Sequence, residues 1–194
     1  MQSEVEQAKR LLREGKAVVY PTDTLYGLGV NALDEEAVRH VYEIKKRPHS
    51  LPLPIAVSGI DVMDSYAHMN EPARIIAHHF LPGAVTLVLK KKPSIPDAVT
   101  RETVAIRIPD NPVALQLAQE FPITATSANL HGGEEPRSIE MARRQLGNKV
   151  ALYIERGTLH GVPSTVIDVS EGRVKILRKG MVKEDDIYRC VREL

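Results

Sequence analysis

The sequence has little of the chemistry that many enzymes rely on. Its one cysteine among 194 residues, Cys190, excludes an internal disulfide framework and a cysteine-only metal site. Tryptophan is absent and aromatic residues make up only 4% of the chain, so the core must consist mainly of Val, Ile, Leu and Ala. No apolar run approaches the length of a membrane span, and the amino terminus lacks the apolar stretch of a signal peptide. These absences predict a soluble, cytoplasmic protein with no membrane contact.

The charge of the chain is nearly balanced, because 26 Lys and Arg residues face 25 Asp and Glu residues, for a formal net charge of +1. A globally basic nucleic-acid-binding protein is therefore excluded, and any contact with a polyanion must come from local clustering of cations. His78 and His79 are adjacent on a predicted helix, and the sequence H-E-x-x-H is absent. No metal-ligating residues are predicted.

The spacing of apolar residues predicts helices that alternate with strands. Helices are predicted at 3–14, 34–46, 71–80, 112–120, 138–146 and from 183 onward. Strands are predicted at 17–20, 54–57, 85–90, 104–108, 123–126, 151–154, 165–169 and 174–177. Several connections are too short for a helical crossover, and the last two strands form a hairpin. The sequence therefore predicts a single α/β domain over residues 1–194, with an open, twisted sheet of mixed parallel and antiparallel strands flanked by helices.

Five short polar segments lie at the ends of the apolar runs, at 21–29, 45–48, 107–109, 127–129 and 163–165. They are rich in hydroxyl groups and cations but poor in carboxylates and thiols. That inventory suits the binding of a polyanion and a small polar molecule better than acid, base or covalent chemistry. The proline-rich segment 48–54 is predicted to be a mobile loop.

The glycines of the first segment fit a nucleotide motif only superficially. Gly27 and Gly29 match the pattern G-x-G-x-x-A, but a threonine-rich segment separates them from the preceding strand, and no carboxylate follows at 49–52. These glycines are therefore interpreted as sites of a turn or of close backbone approach. The P-loop pattern G-x-x-x-x-G-K-[ST] is also absent, which disfavours a Walker-type nucleotide site.

Three of the segments allow both a structural and a functional interpretation. Lys45 and Arg47 are expected at an exposed helix end, where cations either complement the helix dipole or bind a ligand. The hydroxyls of Thr22 and Thr24 either cap a turn or line a cleft at a strand end. Arg107 lies within a predicted strand, where a buried cation needs an anionic partner.

In order and spacing, the segments resemble the YrdC-like family of threonylcarbamoyl-AMP synthases, in the short form that lacks an extra C-terminal domain. The resemblance covers residues 17–180. The matching motifs are Y-P-T-[DE]-T-x-Y-G-L-G at 20–29, K-x-R-P at 45–48, P-G-x-x-T-x-[VL] at 82–88, T-[VA]-x-x-R-x-P at 103–109, S-A-N at 127–129, P-S-T-V-[IV]-D at 163–168 and R-x-G at 178–180. Each motif is weak alone, whereas seven in the same order form a highly specific pattern.

The resemblance implies a basic concave cleft on a twisted α/β sheet and the activity of a nucleotidyltransferase. Such an enzyme makes L-threonylcarbamoyladenylate from L-threonine, bicarbonate or CO2, and ATP, and it releases pyrophosphate. Mg²⁺ is implied to arrive with ATP rather than in a protein cage. A separate threonylcarbamoyl transferase complex is implied to use the product to form N6-threonylcarbamoyladenosine (t6A) at position 37 of tRNA. Direct contact with tRNA or double-stranded RNA is left open.

The resemblance also assigns ten site residues. The implied catalytic residues are Lys45, Arg47, Ser127 and Asn129. The implied L-threonine-binding residues are Thr22, Arg107 and Ser164. The implied nucleotide-binding residues are Lys45, His49, Thr103, Ser127 and Arg178. Because two carboxylates would repel phosphates, Glu134 and Glu135 are expected to face away from the cleft or to meet a metal ion.

Two other functions compete with the synthase. The first is a non-catalytic RNA- or nucleotide-binding module that uses the basic cleft, against which the low net charge and the few aromatic residues count. The second is a related carbamoyl-adenylate chemistry, as in the YrdC-like segment of hydrogenase maturation proteins. That chemistry predicts additional zinc-finger and acylphosphatase-like segments, which this sequence does not contain.

Overall fold

The computed structural model of the protein describes residues 2–192. The helices are α1 (Gln2–Arg13), α2 (Glu35–Lys45), α3 (Ile60–Met63), α4 (Glu71–Phe80), α5 (Pro112–Leu117), α6 (Ile139–Leu146) and α7 (Glu184–Arg192). The strands are β1 (Val18–Tyr20), β2 (Gly27–Gly29), β3 (Ile55–Ala56), β4 (Val85–Lys90), β5 (Thr103–Arg107), β6 (Ile123–Thr124), β7 (Thr126–Ser127), β8 (Leu152–Tyr153), β9 (Thr165–Asp168) and β10 (Lys175–Arg178). None of the helices within residues 2–192 is long and apolar enough to cross a membrane.

Local sequence signals account for most of these boundaries. Asp34 caps helix α2 by accepting hydrogen bonds from the backbone N–H groups of Glu36 and Ala37, as expected for an N-cap carboxylate. Lys46 ends the same helix in the left-handed conformation, with a φ of 51°. Within residues 2–192 the predicted helices and strands are confirmed to within a few residues, whereas strand β2 and the short helix α3 were not predicted. The last two residues of the predicted final helix, 193 and 194, lie outside the described residues.

Strand β2 was missed because its three residues are Gly-Leu-Gly, a sequence typical of turns. The strand pairs with β1 in an antiparallel register that places Gly27 opposite Tyr20 and Gly29 opposite Val18. A Cβ atom at Gly27 or Gly29 would come within 2.9 Å or 2.8 Å of the Tyr20 ring, so only glycine allows this approach. The interpretation of these glycines as sites of close backbone approach is confirmed.

The strands form two sheets rather than the one sheet that was predicted. Six strands lie in the order β10-β9-β4-β5-β3-β6, and four lie in the order β7-β2-β1-β8. The pairs β1/β8, β3/β5 and β4/β9 are parallel and the other pairs are antiparallel, so the predicted mixed character is confirmed. The predicted strand 123–126 is divided, because β6 belongs to the larger sheet and β7 to the smaller one. The short connection between β6 and β7 joins the two sheets. The polar residues at the strand ends of both sheets come together there.

Candidate functional site

A cavity of about 500 Å³ is lined by residues of both sheets. The loop between β1 and β2, together with strands β2 and β7, contributes one side, and strands β4, β5, β9 and β10 of the larger sheet contribute the other. The volume is within the usual range for a small-molecule site. Six of the ten predicted site residues line this cavity: Thr22, Arg47, Arg107, Ser127, Ser164 and Arg178.

The floor of the cavity is a row of side chains across the larger sheet. Thr86 pairs with Val166, which pairs in turn with Arg178, and Arg107 lies beside Thr86 because Leu87 pairs with Ile106. Residues in one such row project from the same face of a sheet, and neighbouring strands are about 4.8 Å apart. Register therefore places two arginines on one face, separated by two strands.

Arg107 is buried and is held by the loop that follows β1. Its Nη2 donates to Asp23 Oδ1 at 2.7 Å, and its Nη1 donates to Thr24 Oγ1 at 3.1 Å. The expected anionic partner of this cation is therefore Asp23, which no site prediction included. The Nε atom is also buried but has no hydrogen-bond partner within residues 2–192, so this guanidinium retains donor capacity.

Thr22 stabilises the turn that carries these partners. Its hydroxyl donates to the carbonyl of Leu25 at 2.7 Å and accepts from the backbone N–H of Thr24 at 3.1 Å. It also lies 2.9 Å from the hydroxyl of Thr24. The two interpretations of this segment are thus compatible, because the hydroxyl caps a turn while the residue lines the cavity.

Ser164 and Arg178 form a second polar cluster. The hydroxyl of the buried Ser164 lies 2.8 Å from that of Thr86 and accepts from Nη2 of Arg178 at 3.1 Å, while its carbonyl accepts from Nε of Arg178 at 3.1 Å. Arg178 is exposed as a whole residue, but its guanidinium is packed against Ser164. Burial of that group and the neighbouring charge of Arg107 lower the pKa of Arg178, whereas the Glu135 carboxylate raises it.

Lys45 is buried, contrary to the expected exposed position at a helix end, with only 1% of its surface accessible. Its ammonium donates to the carbonyl of Ser127, to the carbonyl of Asn129 at 2.7 Å and to Asn129 Oδ1 at 3.1 Å. Burial, and to a smaller extent the charge of Arg47, lower the pKa of Lys45 to about 7. The helix end was expected to be exposed because dipole-compensating cations usually are, but here the segment 127–129 covers it.

Asn129 links Lys45 to Ser127 and orients the Ser127 hydroxyl. Asn129 Oδ1 accepts from the Ser127 hydroxyl at 2.7 Å, and Asn129 Nδ2 donates to the carbonyl of Gly133 at 2.9 Å. Lys45 and Asn129 are absent from the described lining, whereas Ser127 belongs to it. Lys45 and Asn129 therefore hold Ser127 in position without themselves lining the cavity.

Arg47 connects the cavity to the proline-rich loop. Its Nη2 donates to the carbonyl of Pro52 at 3.0 Å and its Nε to the carbonyl of Leu51 at 3.3 Å. Partial burial lowers the pKa of Arg47. His49 is exposed on the same loop and stacks on Tyr42 at a ring distance of 4.5 Å, outside the described lining.

Thr103 also lies outside the described lining. It precedes Ala105 and Arg107 at alternate positions of β5, so all three residues are on the same face of the strand. The predicted nucleotide contact of Thr103 therefore requires a ligand that extends along β5 beyond the cavity.

Glu135 faces the cavity, contrary to the expectation that it would face away or meet a metal ion. Its Oε2 instead accepts from Arg137 Nη2 at 2.8 Å. Glu134 is exposed, as expected. No group of three or more His, Cys, Asp or Glu side chains that could hold a metal ion occurs within residues 2–192. The pairing of Glu135 with Arg137 was not predicted, because the sequence of a loop does not indicate which way its charged side chains point.

Residues 10–180 match the model of the Sua5/YciO/YrdC family, which is described as "Telomere recombination". The chain belongs to this family. The match covers both sheets and every residue of the site. Membership in the Sua5/YciO/YrdC family confirms the family that the seven motifs indicated.

Several relatives of this chain are named threonylcarbamoyl-AMP synthases. The threonylcarbamoyl-AMP synthase of Bacillus subtilis is 40% identical over 97% of this chain and 56% of its own length. The threonylcarbamoyl-AMP synthase of Vibrio vulnificus is 32% identical over 93% of this chain and 100% of its own length. The crystal structure of Pyrococcus abyssi Sua5 complexed with L-threonine superposes with a TM-score of 0.95 at 38% identity, over 100% of this chain and 59% of that one. This chain thus spans little more than half the length of the Bacillus and Pyrococcus proteins.

Proposed function

We propose that this chain is an L-threonylcarbamoyladenylate synthase, a nucleotidyltransferase that joins L-threonine, bicarbonate or CO2, and ATP. The observation that carries the proposal is the convergence of six implied side chains on one cavity of suitable volume. The names of the Bacillus and Vibrio relatives, and the threonine bound to the Pyrococcus protein, support the same activity. A non-catalytic binding module has no comparable support.

The proposed chemistry needs positioning and charge neutralisation rather than a protein nucleophile. The threonine amine and bicarbonate condense to a carbamate with loss of water. A carbamate oxygen then attacks the α-phosphorus of ATP, and pyrophosphate leaves with the electron pair of the broken P–O bond. Negative charge develops on phosphoryl oxygens during this step, and arginines and oriented hydroxyls are the groups that stabilise it.

The contacts suggest how the roles divide. Arg107 lines the cavity, and its guanidinium is the kind of group that binds a carboxylate through two parallel hydrogen bonds, which supports its role in binding the threonine carboxylate. Ser164, bonded to Arg178, completes that side of the cavity. To Arg47 and Arg178 we assign the neutralisation of phosphate or carbonate oxygens, and their position in the cavity lining supports this role. To Ser127, whose hydroxyl is oriented by Asn129, we assign a hydrogen bond to the same oxygens.

Three further assignments belong to the same proposal. ATP carries its Mg²⁺ into the site, and His49 and Thr103 contact the part of the nucleotide that extends beyond the cavity. The product passes to a threonylcarbamoyl transferase complex for t6A modification of tRNA, which implies a cytoplasmic location. Direct contact with RNA is not needed for the adenylate chemistry.

Pyrophosphate release from ATP and Mg²⁺, measured with and without L-threonine and bicarbonate, tests the proposal. Release that requires both co-substrates is the expected result. Release that needs neither would indicate another nucleotide chemistry. Saturable ATP binding without release under any condition would instead favour the binding module.

A further inference from the structure

Glu135 is the only acidic side chain among the described residues that line the cavity. The two residues that follow it are anchored through their backbone carbonyls. The N–H of Tyr26 donates to the carbonyl of Pro136 at 3.0 Å, and the N–H of Leu159 donates to the carbonyl of Arg137 at 2.8 Å. The half-buried carboxylate therefore has a defined position beside a cluster of cations.

Arg137 determines which way this carboxylate points. Its Nη2 donates to Glu135 Oε2 at 2.8 Å, and its Nη1 donates to the carbonyl of Gly161 at 3.1 Å. A carboxylate has about four acceptor positions on its two oxygens. The contact with Arg137 uses one of them, so Glu135 keeps acceptor capacity for a second cationic group.

The charged groups around Glu135 come from several elements. Arg137 contacts it from its own segment, and Arg178 of strand β10 lines the same cavity, close enough for its charge to interact with that of Glu135. Arg178 also interacts with the charge of Arg107 and donates to Ser164. Arg47 is the remaining arginine of the lining. Besides Asp23, which pairs with Arg107, the Glu135 carboxylate is thus a second anionic group near the arginines of the cavity.

A cavity that offered only arginines and hydroxyls would accept almost any small carboxylate or phosphate. A free α-amino acid differs from a plain carboxylic acid because it carries an ammonium group two bonds from the carboxylate carbon. An anionic protein group close to the cationic group that binds the carboxylate favours such a zwitterion over a plain carboxylic acid, because it pairs with the ammonium group.

We propose that Glu135 binds the α-ammonium group of the amino-acid substrate, and that the cavity thereby selects a zwitterion over a carboxylic acid without an amino group. The inference rests on the proposed function, because it assumes that an amino acid occupies the cavity. Glu135 is then a specificity-determining residue of the substrate site. Arg137, which orients its carboxylate, is a positioning residue.

Calorimetric binding tests this inference with L-threonine and with 3-hydroxybutanoate, which lacks only the amino group. Glu135→Gln retains an oxygen that can accept from Arg137 but removes the negative charge. We expect this variant to bind L-threonine about tenfold more weakly or worse, and 3-hydroxybutanoate as the unaltered protein does. Glu134→Gln is the matched control, since Glu134 is an exposed neighbour outside the described lining, and it should change neither affinity.

The pH profile of turnover gives a second readout that a merely structural role would not alter. The amine must be uncharged to attack the carbonate carbon, and an adjacent carboxylate raises the pKa of a bound ammonium group. In Glu135→Gln, the rising limb of kcat should therefore shift to lower pH. Loss of packing alone would lower kcat without moving this limb.

The outcomes separate the two proposals. If the unaltered protein binds L-threonine and Glu135→Gln binds it equally well, the inference about Glu135 is overturned and the proposed function stands. If Glu135→Gln weakens both ligands equally, Glu135 supports the cavity without recognising the ammonium group, and the inference is also wrong. If the unaltered protein does not bind L-threonine at all, both proposals fail.

Discussion

Lys45 and Asn129 are 84 residues apart in sequence but are joined by two hydrogen bonds from one ammonium group. The carbonyl of Ser127 is the third acceptor of that group, so each ammonium proton has a partner. Helix α2 and the segment after β7 are thereby held together, and the Ser127 hydroxyl is directed by Asn129 at the cavity wall. The position of Ser127 thus depends on the buried ammonium group of Lys45, a residue that is not among the described residues lining the cavity.

The buried Lys45 should make the free energy of unfolding depend on pH. Its pKa is about 7 in the folded chain and close to the ordinary value of 10.5 once unfolded, so the unfolded state binds more protons between these values. The cost of burying the charge is fully present below pH 7 and is relieved as pH rises toward 10. Relative to Lys45→Met, which cannot titrate, the unaltered protein should gain stability between pH 7 and pH 10. Urea denaturation across this range measures the difference, and parallel curves for the two proteins would contradict the prediction.

Arg107→Lys keeps the positive charge, but it should still impair the proposed use of L-threonine. Lysine cannot reproduce the planar contacts that Arg107 makes with Asp23 and Thr24 while presenting a further donor. We expect KM for L-threonine to rise by about tenfold or more and KM for ATP to change little. Steady-state pyrophosphate release, with each substrate varied in turn, provides the test. Equal changes in both KM values would place Arg107 elsewhere in the reaction.

Like Arg107→Lys, Ser164→Ala should raise KM for L-threonine rather than KM for ATP, but by a smaller factor. The substitution removes the hydroxyl shared with Thr86 and Arg178 but leaves the backbone carbonyl that holds the Arg178 guanidinium. KM for L-threonine should rise severalfold, as expected for the loss of one neutral hydrogen bond. Arg173→Ala, at an exposed position outside the described lining, is the control for the kinetic assay. An effect of Ser164→Ala confined to ATP would move Ser164 to the nucleotide side.

Gly180→Ala should disturb the site without altering any polar side chain. A Cβ atom at Gly180 would lie 2.3 Å from the carbonyl oxygen of Pro163 and 2.4 Å from the carbonyl carbon of Ser164, distances that force the backbone to move. We expect a loss of about 1–3 kcal/mol in the free energy of unfolding, together with weaker binding of L-threonine. Thermal or urea denaturation and calorimetry measure the two effects.

Gly59→Ala is the matched control for that substitution. Apart from Gly59 and its two neighbours in the chain, no heavy atom of residues 2–192 lies within 4 Å of the added Cβ, and the φ of −170° is extended backbone that any residue adopts. This variant should keep the stability and the threonine affinity of the unaltered protein. If Gly180→Ala behaved in the same way, the R-x-G motif would need an explanation other than close packing.

The elements of this fold were largely predictable, because each one depends on a local signal. Asp34, Asn70 and Ser138 are side chains that cap helices, and each caps one at the predicted position. Apolar runs bounded by proline or glycine marked the strands of the larger sheet. Strand β2 was not predictable, since Gly27 and Gly29 have low strand propensity and are selected by the Tyr20 ring across the sheet.

The sequence by itself determined the set of polar groups and their order along the chain, and so the family. Only the tertiary structure decided which of them share a cavity, because that depends on strand register and on the passage of 123–127 from one sheet to the other. The burial of Lys45, the pairing of Arg107 with Asp23 and the inward orientation of Glu135 are all contacts between distant segments or side-chain directions in loops. Periodicity reports only neighbours along the chain, whereas these properties arise when packed elements exclude water from particular atoms.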